Sequence, residues 1–215
     1  MKKILVGIAL ASVFASTAAI AAQYEVTITN VTEGTLFTPI LVVSHTPGVS
    51  LFELGQPASE ELVAVAEGGD IAPFVTALEA DSRVVDTADS GDVLSPGASV
   101  TVTVEGPRNG QISLVSMLLP TNDGFIALNG VVVPKNPYRS VTYYSPGYDA
   151  GSEVNDELCD SIPAGGPCEP EVSNGNTPEA GVVHIHSGIH GHGDLVPSES
   201  DWRNPAAAIT ITLAH

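Results

Sequence analysis

Tyr24-Glu25-Val26-Thr27-Ile28-Thr29-Asn30-Val31 alternates apolar and polar side chains with a period of two. Tyr24, Val26 and Ile28 fall on one side, and Glu25, Thr27 and Thr29 on the other. An extended chain sends successive side chains to opposite faces, so this stretch predicts a strand with one face buried and one face wet. Five of its eight residues are β-branched, which suits a pleated surface better than a helix.

The same signature recurs outward from it. Residues 98–105, Ala-Ser-Val-Thr-Val-Thr-Val-Glu, alternate cleanly after a turn at Ser95-Pro96-Gly97, and residues 207–213 close the chain in the same way. Residues 111–119 are apolar almost throughout, which predicts a central strand. Residues 37–44, 124–133, 140–144 and 182–185 add four more candidates, the first beginning at an edge because of Pro39. About eight strands separated by turn signals predict a mainly-β chain, an antiparallel β-sandwich. Two short helices interrupt it. Ser59 caps residues 59–67, with glutamates in the first turn and Gly68-Gly69 as the stop. Residues 71–79 follow, with Asp70 at their start and Pro73 in the first turn. Both read as insertions packed at one end of the sandwich. Residues 145–180 are rich in Gly, Pro, Asn, Asp and Glu and lack an apolar period, which predicts a long loop.

Residues 1–21 read differently. Lys2 and Lys3 precede an apolar run, and Ala19-Ile20-Ala21 gives the small-x-small pattern of a secretory leader cleaved after Ala21 or Ala22. The run is shorter than the ~20 apolar residues of a membrane span. Residues 22–215 are then one exported domain, placed in the periplasm, at the cell surface or outside the cell. Its basic residues are Arg83, Arg108, Lys135, Arg139 and Arg203 against 25 acidic ones, a formal charge of about −20. Such a body repels nucleic acid and anionic lipid and attracts cations. Cys159 and Cys168 are an even pair in an exported chain, which predicts a disulfide; paired metal thiolates are the alternative. Closing so short a loop is worth roughly 2.5–3 kcal/mol.

Three acidic or histidine-rich phrases are candidates for chemistry. The first is the turn Pro120-Thr121-Asn122-Asp123-Gly124-Phe125. The second is Tyr148-Asp149-Ala150-Gly151-Ser152-Glu153, where Gly151 lets Asp149 and Glu153 point at one centre. Carboxylates converging from loops, joined by backbone carbonyls, are what Ca²⁺ takes, yet neither phrase fits the twelve-residue calcium loop, and on spacing alone each is simply an acidic turn. The third is His184-Ile185-His186-Ser187-Gly188-Ile189-His190-Gly191-His192. On a strand His184 and His186 share a side, and with His190 they form a candidate Zn²⁺ or Cu²⁺ set; surface or turn histidines are the alternative. No nucleophile elbow, phosphate loop or helical zinc motif is present, and nothing flanking Asp156 and Glu157 supports glycosidase chemistry.

The chain resembles the spondin N-terminal domain, in particular bacterial single-domain members, over nearly all of residues 22–215. The resemblance rests on residues 24–30, on Thr38-Pro39 with Ser44-His45, on Ser50-Leu51-Phe52-Glu53, on residues 116–125 and on residues 148–153. The His-Gly phrase followed by Asp201-Trp202-Arg203-Asn204-Pro205 also matches the bacterial members. The resemblance implies a β-sandwich that holds one Ca²⁺ through Asp123, Asp149 and Glu153. Two departures stand out: Thr-Asn-Asp-Gly replaces the family's Ser-Pro-Asp-Trp, and Glu153 replaces an Asp. The expected function is a non-enzymatic, calcium-binding adhesion module with an extracellular protein or glycan partner. The alternative is an exported Zn²⁺- or Cu²⁺-handling protein using His184, His186 and His190.

Overall fold

The computed structural model describes residues 21–168 and 177–214, and residues 1–20 of the proposed leader lie outside them. Among the described residues the strands are β1 (Ala22–Asn30), β2 (Leu36–Phe37), β3 (Leu41–His45), β4 (Val84–Asp89), β5 (Ser99–Gly106), β6 (Gln111–Leu119), β7 (Gly124–Val132), β8 (Ser140–Ser145), β9 (Gly147–Asp149), β10 (His184–Ile185) and β11 (Ala207–Leu213). The helices are α1 (Glu60–Gly68), α2 (Ala72–Glu79) and α3 (Pro197–Ser200). One sheet has the order β5-β1-β11-β8, and the other β10-β9-β7-β6-β3-β4, with β2 on β6. Every ladder is antiparallel. The mainly-β sandwich expected from the sequence is therefore present.

Alternation places the core. Tyr24, Val26 and Ile28 of β1 are fully buried, as are Ile209 and Ile211 of β11. They meet Val42, Ile112, Leu114 and Ile126 from the facing sheet in one apolar cluster. Each such side chain contributes roughly 1.5–3 kcal/mol by leaving water. The opposite face of β1 stays wet, with Thr27 hydroxyl paired to Thr101 at 2.8 Å.

Two expectations need correction. Residues 37–44 are not one strand: Pro39 has no N–H to give a ladder, and the chain breaks into β2 and β3 around it. The helices do not sit at one end of the sandwich. Leu62, Val65 and Ala66 of α1 and Phe74 and Leu78 of α2 pack with Leu41, Val43, Val115, Phe125 and Ala127 on the outer face of the larger sheet. That is why β3 and nearly all of β6 are buried regardless of parity: their sheet is covered on both sides. The helix ends behave as read, with Ser59 Oγ accepting from Leu62 N–H and Gly69 in the left-handed region.

Candidate functional site

The Pro120–Phe125 turn joins β6 to β7 and holds Asp123 fully buried at the sheet's end. Thr121 fixes the turn, its hydroxyl accepting from Gly124 N–H at 2.9 Å. A Cβ at Gly124 would stand 2.6 Å from that hydroxyl, so the Thr-Asn-Asp-Gly wording is internally consistent: this threonine needs that glycine. Asp149 ends β9 and lies opposite Gly124 on one side and His184 on the other. The β7–β9 ladder is thus what brings the two acidic phrases together.

Asp123 Oδ2 accepts from Ser152 N–H at 2.8 Å, Ser152 Oγ at 3.2 Å and Glu153 N–H at 3.0 Å. Its other oxygen, Oδ1, is buried with no partner among the described residues. Burial, then the Asp149 carboxylate, raises the Asp123 pKa to about 6 against the pull of those three donors. Asp149 accepts from Gly151 N–H at 2.7 Å and from the Asn155 amide at 2.6 Å. Gly151 makes this tight turn at φ +67°, where a Cβ would collide with Val182 N at 2.6 Å. Glu153 joins the site through its backbone N–H and is bridged to Pro178. The loop expected over residues 145–180 is accordingly part strand (β9) and part clasp: Glu179 N–H donates to Ser152 O at 2.8 Å, and Gly181 N–H to Gly151 O at 2.9 Å. Its stretch 169–176 lies outside the described residues.

The histidine phrase folds onto the same place. His184 is half exposed, donates Nδ1–H to Val182 O at 2.8 Å, and stands 3.7 Å from Asp149 Oδ1. His186 is buried against Trp202, edge to face at 4.9 Å. Burial lowers its pKa; Asp149 and Glu157 oppose that, while His184 and His190 add to it. Its Nδ1 accepts from Gly188 N–H at 3.0 Å, so in the neutral ring the proton sits on Nε2, a buried donor without an acceptor among the described residues. A metal at Nε2 would have to displace that proton. His190 is half exposed and 3.8 Å from Glu157 Oε1. Among the described residues no three His, Cys, Asp or Glu side chains form a ready-made metal set.

Glu157, weighed in the sequence only as half of an acid pair, has a structural role that sequence reading missed. Its buried carboxylate accepts from the backbone N–H groups of His190 (2.6 Å), Gly191 (2.6 Å) and His192 (2.8 Å). Burial pushes its pKa up, but these donors outweigh it and hold the carboxyl below its ordinary range. Asn122 clamps the same segment, accepting from Glu157 N–H at 3.3 Å and donating to Asp156 at 3.0 Å. Glu157 therefore ties the long loop to the histidine turn, and Asp156 ties the loop to Asn122 of the β6–β7 turn and to its own Leu158 and Ser161. The Asp201–Pro205 phrase is structural too: Asn204 Oδ1 accepts from Gly147 N–H at 2.7 Å and Trp202 Nε1–H at 3.0 Å. Cys159 and Cys168 are joined as expected, with Cα atoms 5.0 Å apart, and the thiolate alternative falls.

Residues 22–153 match the family model described as Spondin_N. No curated protein matches the chain. The matched stretch is shorter than the resemblance read from the sequence: it ends on Glu153, contains Asp123 and Asp149, and leaves Glu157 and the histidine turn beyond it. The match spans more than half of the sequence, and the chain belongs to the spondin N-terminal domain family.

Proposed function

We propose that this chain is an exported, non-enzymatic binding module that holds Ca²⁺ at Asp123 and Asp149. The observation that carries the proposal is the orphaned Asp123 Oδ1, fully buried beside a second buried carboxylate. An anionic oxygen without a donor is costly in a dry site, and a hard cation is the partner that removes the cost. Two carboxylates do not fill a calcium shell, so backbone carbonyl and water oxygens supply the remainder, as Ca²⁺ accepts. Glu153 stands close enough in the chain to add a ligand, with its longer side chain replacing the family's Asp. Export is supported by the leader pattern and by the Cys159–Cys168 disulfide. Among the described residues Ser113 lies 2.8 Å from His45 Nε2, and both are fully buried, so this pair is beyond the reach of a substrate.

The test is thermal melting of the mature protein in Ca²⁺ and in chelator. At ten times its dissociation constant Ca²⁺ adds roughly 1.4 kcal/mol, and Asp149→Ala should abolish the gain. No shift in either protein would remove calcium from the account. The second reading, Zn²⁺ or Cu²⁺ at His184, His186 and His190, is favoured by the gathering of these rings around Asp149 and Glu157. A His184→Ala/His186→Ala variant tests it: unchanged Zn²⁺ and Cu²⁺ titrations would exclude the cluster.

A further inference from the structure

A cleft of ≈ 540 Å³ opens on the outer face of the larger sheet, lined by Ser50, Phe52, Glu53, Leu54, Asn129 and Tyr148. Its aromatic wall is built in layers. Phe52 and Tyr148 are tilted against each other at 5.0 Å, and Tyr148 stacks on the buried Phe125 at 5.4 Å. The wall is held in place by polar groups that are already spent. Asn129 Oδ1 accepts from Leu51 N–H at 2.9 Å, and its Nδ2 donates to Phe52 O at 2.7 Å and to Ser50 Oγ at 3.0 Å. Ser50 Oγ in turn donates to Phe52 O at 2.7 Å. Farther along, Gly55 N–H bonds Val183 O and Val183 N–H bonds Gln56 O, pinning the segment at both ends. A ligand would meet a shape fixed in advance.

Two polar groups of the cleft remain uncommitted. Among the described residues the Tyr148 hydroxyl and the exposed Glu53 carboxylate have no hydrogen-bond or ion-pair partner. Leu54 beside them is 55% exposed. An aromatic face, one carboxylate and an exposed aliphatic residue suit a cation on an apolar stem. The whole chain points the same way, with formal charge −18 and no Lys or Arg in the cleft lining. A sugar ring needs several fixed donors and acceptors, and Asn129 and Ser50 have no donor to spare.

We propose that this cleft docks a basic side chain, arginine above all, presented by a protein partner. The guanidinium would stack on Phe52 and Tyr148 and pair with Glu53, while its stem covers Leu54. The proposal stands apart from the calcium site and does not depend on it.

The experiment is an NMR titration of the mature protein with the capped tripeptide Gly-Arg-Gly, with Gly-Gln-Gly and methyl glucoside as comparison probes. The arginine peptide should shift Phe52, Leu54 and Tyr148 resonances saturably. Glu53→Gln and Phe52→Leu should each weaken it roughly three- to five-fold, the scale of one exposed ion-pair or cation–π contact. Glu25→Gln removes the same charge from the opposite sheet and should leave binding unchanged. Equal weakening by Glu25→Gln and Glu53→Gln would reduce the effect to general acidity and overturn the proposal. Shifts in the cleft with methyl glucoside but not with the arginine peptide would overturn it in favour of a glycan.

Discussion

Asp149 and His184 face each other across the β9–β10 ladder, with carboxylate oxygen and imidazole nitrogen 3.7 Å apart. That pairing makes one neighbourhood of two features that are 35 residues apart in the chain. The calcium candidate and the histidine candidate are not separate sites competing for interpretation; they share Asp149. A transition metal drawn to His184 would therefore compete with Ca²⁺. Calcium titrations in excess Zn²⁺ should show weakened apparent affinity in the native protein and none of that weakening in His184→Ala. Identical behaviour of both proteins would separate the two sites after all.

Asp123 gives the account a pH signature. Its folded pKa of about 6 lies above the ordinary carboxylate value, so the metal-free folded state holds the proton longer than the unfolded chain. Its contribution to stability is then undiminished below about pH 4 and is lost as pH rises through 6, on the order of 3 kcal/mol in full. Asp123→Asn should stabilise the chelated protein near pH 7.5 and be close to neutral near pH 4. Urea melts at the two pH values check this, and a difference independent of pH would contradict it.

Glu157 is predicted to hold the histidine turn. In Glu157→Gln only one side-chain oxygen remains, so the amide cannot accept both from His190 on one side and from Gly191 and His192 on the other, and at least one backbone N–H group loses its partner. The expected cost is about 1–3 kcal/mol in a denaturant melt, with faster hydrogen exchange at residues 190–192. Unchanged exchange there would show that the turn is held by something else.

Gly147 is predicted to be irreplaceable beneath Trp202. A Cβ at this position would stand 2.7 Å from the indole ring. Gly147→Ala should displace the ring at a cost of about 1–3 kcal/mol. Because Trp202 is the chain's single tryptophan, its fluorescence reports the change directly, as a shift to longer wavelength. An unshifted spectrum would mean that the backbone yields instead.

How much of this was legible in the sequence depends on the range of the interaction. β1, β5 and β11 declare themselves because one face of each meets the core and the other meets water. β6 declares itself by being apolar on both faces, though only the structure shows that α1 and α2 are the reason. β9 is three residues long, too short for any period to show, while β10 keeps two residues of the strand expected over residues 182–185. Yet those two strands assemble the candidate site. The role of Glu157 was invisible for another reason: its partners are backbone N–H groups, which every residue but proline possesses, so no side-chain pattern marks them. Asp123 and Asp149 were linked to each other only through family resemblance; local spacing left each an acidic turn.

Metal content of the purified mature protein, after equilibration with Ca²⁺ alone and removal of free ions, tests the central claim most directly. One Ca²⁺ retained per native chain, and none in Asp123→Ala, is the predicted result. A native chain that retains no Ca²⁺, or retains as much in Asp123→Ala, would contradict the calcium assignment.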